Sequence, residues 1–182
     1  MDKINKSNIS YSLSNVDIER YVGRGHIIKY SDLSNFDNID DVFNGNSFVI
    51  VLIESEPSRG HWTAMLRYDN TIEMYDSYGG SIDNELKYIS KQMKIELGEN
   101  EHILTELLKK SGHKVVVNKY KFQSEQKING MDVDTCGKHV LLRILMFICG
   151  NLNLNQYINW FKKSAKKLKL INDEFVCKCI TF

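Results

Sequence analysis

At 182 residues, 42% of them hydrophobic, the chain is long enough to close one sizeable core and is read as a single domain over 1–182. A formal net charge of +1 offers no global attraction to nucleic acid or to a membrane surface. No apolar stretch approaches the ~18 residues of a bilayer span. No signal region follows Met1-Asp2-Lys3-Ile4-Asn5-Lys6. A soluble, non-secreted monomer with its four cysteines reduced and no membrane partner is the expectation.

The N-terminal region is polar and punctuated, with one short helix opened by Ser14 or Asn15 and ending near Gly23. Ser47 to Ile53 is a continuous apolar, β-branched run, which predicts a buried strand. Glu54 to Arg59, holding the only proline, reads as a turn. His61 to Tyr68 and Thr71 to Ser77 read as two further strands joined at Asp69-Asn70 and stopped by Tyr78-Gly79-Gly80. Beyond them the period becomes helical, through Ile82, Leu86, Ile89 and Met93 and again through Ile103, Leu104, Leu107 and Leu108. Lys114 to Phe122 returns to a β-rich run, and Gln123 to Thr135 is a polar loop. A helix opens at Cys136 and carries the apolar residues Val140 to Ile148. An amphipathic segment from Tyr157 to Leu170 follows, and Phe175 to Ile180 reads as a tail strand. Strands and helices in this order predict an α+β fold, a mixed central sheet flanked by helices.

Cys136 is the residue that carries chemistry. It falls in the first turn of a predicted helix, where unpaired N–H groups favour a sulfur anion over a thiol. A thiol nucleophile needs an imidazole to take its proton and return it to the leaving amine, and a group to orient that imidazole. The chain supplies both. With a turn at Asp69-Asn70, the two strands run antiparallel and bring His61 close to Asp76 or Ser77. Such a Cys-His-Asp set uses no metal and no cofactor.

Gly60-His61-Trp62, then Tyr75-Asp76-Ser77-Tyr78-Gly79, then a Gln, then Thr135-Cys136-Gly137-Lys138-His139 before an apolar helix resembles the adenain/Ulp-type cysteine protease clan. The likeness spans roughly residues 42–150, and it is greatest to the viral maturation proteases of virophages and giant viruses. It implies a papain-like or adenain-like fold with the nucleophile at the N-terminus of a buried helix. It also implies Cys136 as nucleophile, His61 as base and acid, and Asp76 as orienting carboxylate. The family's glutamine, whose side-chain N–H stabilises the oxyanion, would be Gln123, at the end of a strand but thirteen residues before Cys136; Gln126 is the alternative. Trp62 would wall the substrate channel and favour glycine at the cut. The implied activity is cleavage of virion or capsid precursor proteins, in the virion, the host cytoplasm or a virus factory. An isopeptidase acting on ubiquitin-like conjugates is the rival enzyme, and an inactive protease-derived scaffold the rival outside the enzymes.

Other residues have blander readings. His139, one helical turn after Cys136, packs or hydrogen-bonds beneath the site. His26, His102 and His113 read as surface or loop residues, and Cys149 as inert core. Cys177-x-Cys179 supplies only two ligands and is no zinc site. Lys162, Lys163, Lys166, Lys167 and Lys169 form a solvated helix face, with DNA, or an activating peptide, as the partner that the resemblance would add.

Overall fold

The computed structural model describes residues 6–99, 101–123, 127–128 and 131–181. In chain order these form α1 (Lys6–Ile9), α2 (Asn15–Val22), β1 (Ile27–Lys29), a 3-10 turn (Ser31–Asn35), α3 (Ile39–Phe43), β2 (Phe48–Glu56), β3 (Arg59–Tyr68) and β4 (Thr71–Asp76). A second 3-10 turn (Asn84–Tyr88), α4 (Lys91–Leu97), α5 (Ile103–Lys110) and β5 (Lys114–Val117) follow. The remainder comprises β6 (Lys127–Ile128), β7 (Met131–Asp132), α6 (Cys136–Ile148), α7 (Leu154–Leu168) and α8 (Asn172–Cys179). The architecture is α+β, and the chain divides into two compact units.

One unit runs over Arg24–Asp76 and Gly80–Lys119 and contains the whole five-stranded sheet. Its strand order is β1-β2-β3-β4-β5; the outer pairs are parallel and the two inner pairs antiparallel, so the sheet is mixed. The run from Phe48 to Ile53 is buried at every position because both faces of β2 are covered. On one face Val49, Val51 and Ile53 meet Met65, Ile72 and Met74 and the apolar residues of α3 and α5, among them Phe43, Leu104 and Leu107. Each such side chain withdrawn from water contributes about 1.5–3 kcal/mol. At the far end of the β2–β3 hairpin Pro57 and Ser58 make the turn, with Ser58 at φ 62° and its N–H on the Glu54 carboxylate at 2.6 Å.

The other unit holds α1, α2, α6, α7, α8, the β6–β7 pair and Ser77–Gly79. Ser14 and Asp17 form a reciprocal capping box that starts α2. Helix α6 is buried from Gly137 to Ile144. Its two basic residues find partners inside. Lys138 donates to the Tyr11 carbonyl. Arg143 donates to the Leu152 carbonyl at 3.1 Å and stands 5.0 Å above the Tyr157 ring. Phe161 packs edge-on against Phe122 at 5.0 Å and Phe175 at 4.8 Å, which ties α7 and α8 together.

Three expectations need correction. The tail at Phe175 to Ile180 is helical, not a strand. Asp173 and Glu174 in its first turn suit a helix N-terminus, and Phe175, Val176 and Cys177 are all buried, which strict alternation would forbid. The segment from Ile82 to Met93 is not one helix: Ile89 takes an extended conformation between the second 3-10 turn and α4, and Ser90 caps α4 afresh. The β-rich run after Lys114 pairs only as far as Val117, opposite Met74, and β5 ends there.

Candidate active site

Gly60 is required where it stands. It faces Glu54 beside an irregularity in the β2–β3 pairing, and a Cβ there would lie 1.9 Å from the Ile53 carbonyl oxygen. Only a residue without a side chain lets the two backbones approach so closely. The next residue, His61, is thereby held opposite Ile53. Asp76 closes β4 opposite Thr63, two residues along β3 from His61 and on the same face. The diagonal is short enough for a direct hydrogen bond, His61 Nε2 to Asp76 Oδ1 at 2.8 Å, with side chains 13% and 15% exposed. With Nε2–H donated to the carboxylate, Nδ1 is the ring atom that can take a proton.

Asp76 is itself anchored by a residue that the sequence reading passed over. The Asn118 side chain accepts from the Asp76 N–H at 2.8 Å and donates to the Asp76 carbonyl at 2.8 Å, continuing the ladder where β5 stops. A polar residue directly after Val115-Val116-Val117 was the available signal. Glu85 is a second unanticipated neighbour, only 8% exposed. Burial raises its carboxyl above the usual range; the charge of Asp76 adds to this, and His61 opposes it. Glu85 and Asp76 line one small cavity, with Thr63, Asn84 and the apolar Ile53 and Met74. Trp62, out of phase with His61 on β3, is 3% exposed and pairs across to Leu52.

Cys136 and Gln123 belong to the other unit. Cys136 is a free, partly buried thiol and the first residue of α6. Thr135 precedes it and is fully buried; its hydroxyl donates to Asp173 Oδ1 at 2.5 Å. The same oxygen lies 3.2 Å from His139 Nε2, so the two residues flanking Cys136-Gly137-Lys138 share one carboxylate from α8. His139 thus hydrogen-bonds within the helix layer, and burial pushes its imidazole below the usual range. Gln123 is 1% exposed, and its Nε2 donates to the Val133 carbonyl at 2.9 Å. Its Oε1 accepts from Ser77 Oγ at 3.2 Å, and its backbone N–H donates to the Ser77 carbonyl at 2.9 Å. The alternative, Gln126, lies outside the described residues.

Elsewhere, His113 lies 3.2 Å from Asp40, which also takes Arg67 at 2.6 Å. Likewise, His102 Nδ1 stands 3.6 Å from Asp83. Cys177 is buried with its thiol pushed up to about 11; Cys149, expected in the core, is instead exposed because α6 ends at it, and Cys179 is exposed too. Among the described residues no cluster of three or more His, Cys, Asp or Glu could hold a metal ion, and no helix is long and apolar enough to cross a membrane.

No protein-family model matches the chain. It is 33% identical over 167 residues, 91% of its own length and 91% of the relative's, to a protein of Sputnik virophage named "Uncharacterized protein V9".

Proposed function

We propose that this chain, which belongs to the family of the virophage protein V9, is a viral cysteine endopeptidase of papain-like, adenain-like fold that cleaves virion precursor proteins. The observation that carries the reading is the 2.8 Å hydrogen bond between His61 Nε2 and Asp76 Oδ1. A strand histidine held by a largely buried carboxylate, whose backbone is clamped by Asn118, is the orienting half of a thiol protease. Cys136 at the mouth of a buried helix has the form of the other half.

In this mechanism His61 Nδ1 takes the proton of the Cys136 thiol, and Asp76 holds the ring and stabilises the imidazolium. The thiolate attacks the scissile carbonyl. The tetrahedral oxyanion takes a hydrogen bond from the Cys136 backbone N–H and a second from the Gln123 amide, whose Nε2 has one hydrogen beyond that given to Val133. Collapse breaks the C–N bond, His61 protonates the departing amine, and a thioester remains. Water, deprotonated by His61, then releases the acid and restores the thiol. Glycine-rich sequences are the proposed cleavage sites, on the resemblance to a family in which a tryptophan next in sequence to the base narrows the channel, and DNA or a peptide is a proposed activator. The enzyme would act in the virion or the infected cell's cytoplasm.

Incubating the chain with the capsid proteins encoded beside it and mapping new termini by mass spectrometry tests this. Wild type should generate discrete termini, and Cys136→Ala, folded by circular dichroism, should generate none. Equal cleavage by both would remove the mechanism.

A further inference from the structure

Among the described residues, the Ser and Asn N-caps of α-helices, Ser14, Asn38, Ser90 and Asn153, all use that side chain to cap their own first-turn N–H groups. Helix α6 opens on Thr135, an equally suitable cap, and has no side-chain cap. The reason is visible in α8. The Thr135 hydroxyl is turned away to Asp173 at 2.5 Å, and Thr135 sits at φ −102°, ψ 0°, outside the extended region that capping residues use. Thr135, His139 and Asp173 are all fully buried, and His139 Nε2 braces the same carboxylate oxygen at 3.2 Å. Asp173 lies in the first turn of α8. A buried carboxylate that takes a cap away from a thirteen-residue helix costs stability in α6. That sacrifice has a use if the uncapped N–H groups have another task.

We propose that Asp173 is a positioning residue: by holding the Thr135 hydroxyl, it leaves the first-turn N–H groups of α6 to the Cys136 sulfur and to the oxyanion. This rests on the reading of Cys136 as the nucleophile. Asp173 touches no reacting atom and acts only through Thr135. A purely structural Asp173 would change stability alone, whereas this role changes the reactivity of Cys136 and makes that change depend on the Thr135 hydroxyl.

The test is alkylation of the full chain by iodoacetamide at pH 7, resolved by peptide mass spectrometry, with the exposed Cys149 as internal reference. In Asp173→Ala the freed hydroxyl caps α6, and Cys136 should react about fivefold more slowly than in wild type. Adding Thr135→Val removes the hydroxyl and should restore the rate to within about twofold of wild type. Asp173→Asn keeps an acceptor for Thr135 and should react like wild type. Circular dichroism melts establish that each variant is folded, and Asp173→Leu, which fills the same space, replaces Asp173→Ala if the latter is not. Equal rates in Asp173→Ala and the double variant overturn the proposal, as does a slow Asp173→Asn. A fast wild-type Cys136 that is indifferent to Asp173 sinks this inference alone. A wild-type Cys136 no faster than Cys149 sinks the nucleophile reading and this inference with it.

Discussion

Gly60→Ala tests whether the approach of β2 to β3 is what places His61. The added Cβ would stand 1.9 Å from the Ile53 carbonyl oxygen and 2.7 Å from Glu54 Cα, where real Cβ contacts essentially never fall below 3.0 Å. Both obstacles are backbone, so no rotamer change relieves them; the strands must separate by about an ångström at this point. Overpacking of this kind costs about 3 kcal/mol. For a chain of this size that is a fall of roughly 6–12 °C in Tm. His61 is the next residue, and its 2.8 Å bond to Asp76 has little latitude before it ceases to be a hydrogen bond. An ångström of displacement at a catalytic group costs on the order of 10²-fold in turnover. Gly45→Ala is the control: Gly45 also has an unusual backbone, at φ +78°, but nothing lies within 4 Å of its Cβ position. Its substitution should cost only the left-handed strain, about 1–2 kcal/mol. Circular dichroism melts of the two variants, with peptide cleavage rates alongside, make the comparison. If Gly60→Ala melts within about 2 °C of wild type, the close-approach argument is wrong.

Burial pushes the Glu99 carboxyl up to about 7 from an ordinary 4.5; its hydrogen bond from the Glu54 N–H at 2.8 Å opposes this, and the Glu54 charge adds to it. A raised carboxyl binds its proton more tightly folded than unfolded. Its contribution is therefore complete below pH 4.5 and is lost as pH rises through about 7, to a total of about 3 kcal/mol. Urea titrations between pH 4.5 and 8 should show that decline in wild type and not in Glu99→Gln; parallel curves would refute it. Asp76→Asn should keep the fold and lower kcat/KM by about 10³–10⁴-fold, because an amide can donate to the ring as well as accept, so it neither fixes the tautomer nor stabilises the imidazolium as the carboxylate does. A loss smaller than about tenfold in a peptide cleavage assay would deny Asp76 its orienting role. Asn118→Ala removes both hydrogen bonds from the Asp76 backbone and should lower activity about tenfold with a Tm loss of several degrees. Unchanged kinetics would make Asn118 a purely structural residue.

The features legible in the sequence are those set by local pattern. The apolar run of β2, the turn at Asp69-Asn70 and the two strands it joins were enough to bring His61 near Asp76. The structure makes this contact along the diagonal, with Thr63 rather than His61 directly opposite Asp76. Ser14 and Cys136 marked the starts of α2 and α6 by capping chemistry and apolar periodicity. The illegible features depend on distant partners. Asp173 meets Thr135 across 38 residues, and Asn118 meets Asp76 across 42, and neither pair carries a periodic signal. β1 spans three residues and exists only by pairing with β2. The tail was misread because Cys177 and Cys179 alternate with a lysine, a pattern too short to separate period 2 from a helix whose contacts lie on α6 and α7.

The most direct test of the central claim is covalent: treat the chain with a glycine-rich peptide vinyl sulfone and locate the adduct by peptide mapping. One adduct on Cys136, absent in a folded His61→Gln variant, is the result this account requires. Labelling that settles on Cys149 or Cys179, or that persists on Cys136 without His61, would contradict it.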